Sequence, residues 1–303
     1  LATIAIGVYV TAIMDSAVGQ AVAGTRSRFR EVLAGPARSA AALMLTSRAG
    51  TERPDAAAWA LAPALYLGLA AVALAVIPLS PSAVVADVGV GMVVFGAAQA
   101  LVVIPVFLHG WSSNSAFPLI GGFRFIAQAL SFEMPNLLAL LAVTVPAQSL
   151  SVREVVMNQQ GLWNIVRMPP GLPLFLVAAL GLSFWGPLNL PDGPDLAGGS
   201  TAETSGSQLL VWRMARAAML VATAAMGAAA FLGGWLGPWL PAPVWMVLKT
   251  FALLALLIGV GHLSARVRPE RFVVISWAVL IPIALANVLL AAGVALIQGR
   301  GAP

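Results

Sequence analysis

The 303-residue chain has no cysteine, which removes disulfides, thiolate metal sites and cysteine-held iron–sulfur clusters from it. Histidine is almost as scarce: His109 and His262 stand far apart, with no metal-ligand spacing around either. Charge is the third shortage. Asp, Glu, Lys and Arg make up 9% of the residues, against about 25% in an ordinary soluble chain. With 60% apolar residues and a mean hydropathy of +0.94, most of the sequence cannot face water. The excess of 16 basic over 11 acidic residues is nearly all arginine. It reads as membrane topology and not as a nucleic-acid surface. Internal repeats, low-complexity tracts, a signal-peptide cleavage pattern and a second domain are also lacking.

What remains is a series of apolar runs. A membrane-crossing helix needs roughly 20 predominantly apolar residues. Runs at 56–79, 83–108, 119–145, 170–186, 209–236, 244–262 and 272–297 qualify. The opening run, 1–14, is short and fits a helix whose first turns precede Leu1. The expectation is therefore an all-α, polytopic membrane protein of about eight transmembrane helices, forming one transmembrane domain over 1–303. The segment 15–55 stands apart, with Arg26, Arg28, Arg30, Arg38, Arg48 and Arg53 set against Asp15, Glu31, Glu52 and Asp55. Within it, 31–46 mixes Ala and Leu with a few charges, the pattern of an amphipathic interfacial helix; an ordinary loop is the alternative.

Eight spans place the loops at about 15–55, 109–116, 187–208 and 264–271 on one side. That side holds nine Lys or Arg residues, against three (Arg153, Arg167 and Arg300) on the other. The positive-inside rule makes the richer side cytoplasmic and puts both termini outside, in a multi-pass protein of a bacterial cytoplasmic membrane. Trp111, Trp163, Trp185, Trp235 and Trp239 fall near span ends, as an aromatic belt requires.

Charged groups at bilayer depth cost at least about 2.5–3.5 kcal/mol each, so those inside the runs are candidates for function. They are Asp87, Arg124, Glu133, Arg213, Arg216 and Lys249. Arg124 and Glu133 share one run but lie on opposite helix faces, roughly 13 Å apart along the axis, so they cannot neutralise each other. Gln128 and Ser131 lie close to the Arg124 face. Glu133 precedes Pro135, whose ring frees a backbone carbonyl one turn back. A buried carboxylate without a partner on its own helix suits taking and releasing a proton. The alternative is a structural pair between helices, with Lys249 or an arginine. Arg213 and Arg216, near a helix start, need anions nearby; Asp192, Asp195 and Glu203 in the preceding loop are the obvious ones, forming a salt-bridged lid or a ligand site. His109 reads as an interfacial residue.

Gly110-Trp111-Ser112-Ser113-Asn114-Ser115, then Gly121, Arg124, Gln128 and Ser131-Phe132-Glu133-Met134-Pro135, closely resemble the H subunit of respiratory complex I, the NADH-quinone oxidoreductase. The family pattern runs GWxSNS and GxxRxxxQxxSYExP, in the same register. Gly186-Pro187-Leu188-Asn189-Leu190-Pro191-Asp192 resembles the family's APFDLPE, and Glu203-Thr204-Ser205-Gly206 its EYSG. Leu248-Lys249-Thr250 matches LKT, and 266–282 resembles the closing arginine-rich loop and last helix. The resemblance implies a membrane anchor beneath a hydrophilic redox arm, linking quinone reduction to proton translocation. The quinone cavity would be shared with neighbouring subunits, with Trp111, Asn114, Ser115, Arg124 and Gln128 as cavity and supporting residues. A proton path would run over Glu133, Asp192, Asp195 and Glu203, with a charge network of Arg213, Arg216 and Lys249. Implied partners are hydrophilic iron–sulfur subunits, antiporter-like and small membrane subunits, and lipid. The chain itself would hold a quinone site but no metal or iron–sulfur cluster.

The departures from that pattern concentrate in acids. Leu182 and Asn189 stand at family Glu and Asp positions, Trp185 at an Arg, and Arg216 reverses the charge of a Glu. Ser39, Ala42 and Ala278 replace charged residues, and Asp15-Ser16 only weakly matches an N-terminal Glu-Arg pair. Arg216 would favour the ionised form of nearby carboxylates and repel a passing proton. Two other readings follow: a membrane subunit of a hydrogenase or ferredoxin-linked complex, or a structural anchor that has lost the coupling acids. An independent transporter would show repeats or paired broken helices, which are lacking.

Overall fold

In a computed structural model, residues 2–24, 29–47, 50 and 53–300 are described. Arg26, Arg28, Arg48 and Glu52, and the side chain of Arg300, lie outside the described residues. The apolar runs become helices: α1 (Ala2–Ala23), α2 (Phe29–Leu45), α3 (Ala56–Ala75), α4 (Gly91–Ala100), α5 (Val103–Ser112) and α6 (Ala116–Ala147). They continue as α7 (Val152–Met157), α8 (Asn164–Arg167), α9 (Gly171–Leu182), α10 (Gly206–Phe231), α11 (Ala242–Leu263), α12 (Pro269–Ile275) and α13 (Ile281–Arg300). A π-helical segment, Ser276–Leu280, joins the last two. No strand occurs among the described residues.

Among the described residues, seven helical segments are long and apolar enough to cross a membrane: α1, α3, α4 with α5, α6, α10, α11, and α12 through α13. The eighth apolar segment, α9, is shorter. Its 12 residues span about 18 Å, well under the roughly 30 Å hydrocarbon thickness.

Burial is graded across these helices. In α10, 89% of the most apolar stretch is buried, and that helix is rich in alanine. A helix that is apolar on all sides belongs in the middle of a bundle, and small side chains let neighbours approach closely. Around it pack α3, α9, α11, α1 and α2. By contrast 11% of α1 and 17% of the last span are buried, so both lie at the periphery.

Because α9 ends among other helices, its last carbonyls need partners that water does not supply. Side chains from three helices provide them. Gln128 Nε2 of α6 donates to Gly181 O at 2.9 Å, and Tyr66 OH of α3 donates to Leu182 O at 2.5 Å. Arg216 of α10 donates from Nε to Ser183 O at 3.0 Å and from a terminal nitrogen to Phe184 O. A cation at a helix C-terminus also suits the macrodipole.

The carbonyl freed by Pro135 is satisfied in the same way. Pro135 has no N–H to offer Ser131 O one turn earlier, and the Ser276 hydroxyl donates to that carbonyl instead. Ser276 opens the π segment, so two helix irregularities meet at one contact.

Several boundaries differ from the sequence reading. α1 continues past residue 14 to Ala23, so Asp15 is helical and bonds His262 of α11 at 2.8 Å. The amphipathic segment is a helix, α2, carrying Pro36. The loop at 109–116 shrinks to 113–115, because α5 runs to Ser112 and α6 starts at Ala116. Asp87 is not in a span: Pro78, Pro81 and Gly89 keep the 76–90 connection out of helix. Its carboxylate lies 3.7 Å from Arg153, in the short helix α7.

Candidate functional site

The four expected loops meet at one end of the bundle. Asp55 N donates to Ser112 O at 2.8 Å, Ser205 Oγ to Ser47 O at 3.2 Å, and Val267 N to Pro187 O at 3.0 Å. The connection between α9 and α10 lies at their centre, folded into three short 3₁₀ turns. It presses on α6 so closely that side chains are excluded. A Cβ on Gly121 would lie 2.6 Å from both Pro191 O and Ser200 N. At Gly199, φ is +52° and a Cβ would run into Pro191 O, so glycine is required on both counts.

This loop carries three of the four expected acids, and each is engaged. Asp192 receives Arg216 at 2.8 Å and the Ser200 hydroxyl, and its side chain is 5% exposed. Burial pushes its carboxyl above the usual range, while the Arg216 charge pulls the other way. Asp195 receives Arg124 at 2.5 Å. The hydrogen bond from Arg124 holds its carboxyl below the usual range. Glu203 accepts from Ser115 Oγ at 3.0 Å. The expected anion partners of Arg213 and Arg216 thus divide differently: Arg216 takes Asp192, Arg124 takes Asp195, and Arg213 is exposed.

The supporting motif builds the corner between α5 and α6. Asn114 has φ of +51°, a left-handed conformation that asparagine tolerates, and this turns the chain into α6. Ser115 precedes α6 and reaches Glu203, while Trp111 is exposed beside Phe107. Gln128 is buried and committed to the end of α9.

His109 lies in the last turn of α5, at a span end as expected, but it faces the protein interior. It is fully buried, stacked on Trp212 at 4.1 Å between ring centroids and bonded to Thr204 at 3.0 Å. Its partners are some hundred positions away in sequence, so nothing local marks it. Lys249 also departs from expectation, since no carboxylate among the described residues pairs with it. Its ammonium donates to Leu232, Gly234 and Leu236 carbonyls at 2.6, 3.0 and 2.6 Å, and sits 4.2 Å from the Trp163 ring centroid. It ties down the turn after α10, at the opposite end of that 26-residue helix from the loop cluster.

Glu133 has neither ion-pair nor hydrogen-bond partner among the described residues, so the pair with Lys249 or an arginine does not form. It is half-buried in a cleft between the α4–α5 arm and α6, beside Gln99, Val103 and Asn136. Gln99 and Asn136 are polar residues in this cleft that sequence reasoning passed over. Their only signal was two amides within apolar runs. No group of three His, Asp or Glu side chains suited to a metal ion occurs among the described residues.

The family described as NADH dehydrogenase matches residues 10–292. The NADH-quinone oxidoreductase H subunit, copy 1, of Rhodopseudomonas palustris (strain BisA53) is 33% identical over 250 residues, covering 82% of this chain and 78% of that protein. The NADH-quinone oxidoreductase H subunit of Bacillus cytotoxicus is 33% identical over 256 residues, covering 82% and 77% respectively. The H subunit of Bacillus cereus (strain AH187) gives the same identity and coverage. The chain therefore belongs to the NADH dehydrogenase family, as a polytopic membrane protein akin to the H subunit of NADH-quinone oxidoreductases.

Proposed function

We propose that this chain is the membrane subunit of a complex I-like quinone oxidoreductase in a bacterial cytoplasmic membrane, with both termini outside and the loop cluster facing the cytoplasm. The observation that carries the reading is the pairing of a braced loop platform with one unpaired carboxylate inside the bundle. Arg124–Asp195, Arg216–Asp192 and Ser115–Glu203 fix the platform. A hydrophilic redox arm needs such a rigid seat, and iron–sulfur subunits there would deliver electrons to a quinone held between them and this chain. Exposed Trp111, with Phe107 and Phe123 packed near it, offers an apolar floor beside the platform. Antiporter-like and small membrane subunits would cover the peripheral faces of α1 and of the last span.

Glu133 takes and releases the proton in this reading, since its carboxylate alone among the four expected acids is unengaged. Asp192, Asp195 and Glu203 hold the platform. The same engagement of three acids supports a second reading, an anchor that has lost coupling. Glu133→Gln in the assembled complex separates the two. Proton movement per electron should be lost while quinone reduction and assembly persist. Unchanged proton movement would favour the anchor, and a chain that purifies alone and functional would refute both.

A further inference from the structure

Gln99 of α4 and Asn136 of α6 meet inside the bundle, where Asn136 Nδ2 donates to Gln99 Oε1 at 2.8 Å. The two residues are 3% and 1% exposed. Each amide keeps a second polar atom, the donor Gln99 Nε2 and the acceptor Asn136 Oδ1, without a partner among the described residues. Reversing one amide would break the bond between them. Reversing both would leave the same surplus of one donor and one acceptor. Buried amides are seldom left so, and ordered water or a functional role usually accounts for the exceptions.

Both residues line one cavity with Glu133, Gly96, Phe132 and Leu182, and it has room for about one water molecule. Glu133 lies three positions before Asn136 on α6, so the two share a helix face. We propose that Gln99 and Asn136 hold a single water against the Glu133 carboxyl and that this water is the immediate proton carrier to and from it. The water accepts from Gln99 Nε2 and donates to Asn136 Oδ1 and to the Glu133 carboxylate, three bonds in all, the usual number for a buried water. A proton arriving on its remaining lone pair is matched by one leaving to the carboxylate. One water O–H bond forms as another breaks, and the water is regenerated. The return step reverses this. A metal cation fits poorly, because the Gln99 amide presents a donor to the same space. Gln99 and Asn136 are positioning residues here, acting through the water, and the proposal rests on the reading that Glu133 carries protons.

The test uses the whole assembled complex in liposomes, with Gln99→Met and Asn136→Leu chosen to conserve volume. Proton movement per electron should fall about tenfold or more in each, since a positioned proton donor contributes at least that much. In infrared difference spectra between oxidised and reduced complex, one O–H stretching band should shift in ¹⁸O-labelled water. It should be displaced in Glu133→Gln and missing from both amide variants. If Glu133→Gln abolishes proton movement but the amide variants keep it, the water fails and the functional reading stands. If Glu133→Gln leaves proton movement intact, the functional reading fails first. Where an amide variant does not assemble, the unsubstituted complex decides: a spectrum without an ¹⁸O-sensitive band overturns the proposal.

Discussion

Replacing Arg216 with alanine removes four interactions at once. The guanidinium holds Asp192 at 2.8 Å, caps Ser183 O and Phe184 O, and lies 5.3 Å from the centroid of the Phe184 ring. Side-chain exposure of 16% for Arg216 and 5% for Asp192 makes this a buried pair, so solvent screening does not discount it. Breaking a buried pair from one side costs about 3–5 kcal/mol, because the other charge is left uncompensated. Asp192→Asn should cost less, about 1–3 kcal/mol, since Arg216 keeps both carbonyls. The double variant should then be less damaging than the sum of the two, by about 2–3 kcal/mol. Reversible unfolding in mixed detergent micelles measures all three, and proteolysis within 187–205 reports the loop directly. In Arg216→Ala the Asp192 carboxyl has lost the charge that opposed burial, so its folded value moves further above its unfolded one. Stability is then retained below the ordinary carboxylate range and lost as pH rises through the folded value. Acidification should partly rescue this variant. Additive losses, or a loss under about 1 kcal/mol for Arg216→Ala, would refute the reasoning.

Ser276→Ala should cost about 1–2 kcal/mol by orphaning Ser131 O, and much less in a Pro135→Ala background, where the backbone bond can reform; the same unfolding assay tests the difference. Asp195 behaves oppositely to Asp192. Its carboxyl is held low by Arg124, so its contribution is present at neutral pH and lost as pH falls below about 4. With the Asp195 side chain 58% exposed, that contribution stays under about 1 kcal/mol, and salt should weaken it, as loop proteolysis against pH and ionic strength would show. Gly121→Val should displace the loop from α6 at about 1–3 kcal/mol, because Pro191 O and Ser200 N leave no space; loop proteolysis unchanged from the native protein would contradict this.

The spans were legible because apolar length is a local property of the chain. Counting the spans assigned the four loops to one side, but the contacts that join them were not legible in the sequence. The Ser131 carbonyl was legible as an orphan, since proline's missing N–H is fixed by chemistry, but its partner Ser276 lies 145 positions away. The same limit explains α9. The run 170–186 is apolar but for Ser183, and a lone serine does not say that the helix stops at Leu182, because Tyr66, Gln128 and Arg216 cap it from elsewhere. For the candidate site, motif positions named Arg124, Glu133 and the loop acids, but not which cation takes which anion. That depends on where the loop crosses α6, which Gly121 and Gly199 set through backbone contact.

The borrowed caps of α9 also order events during synthesis. Tyr66 and Gln128 are made before α9, so Leu182 O and Gly181 O can be satisfied as soon as the segment docks. Ser183 O and Phe184 O must wait for Arg216, more than thirty residues later. Until α10 leaves the ribosome, a short helix with two bare carbonyls has no stable place in hydrocarbon. The nascent segment should linger at the lipid surface or in the insertion machinery, and settle when α10 arrives. The last step of insertion should therefore involve α9 and α10 together, and the two segments should not settle one by one.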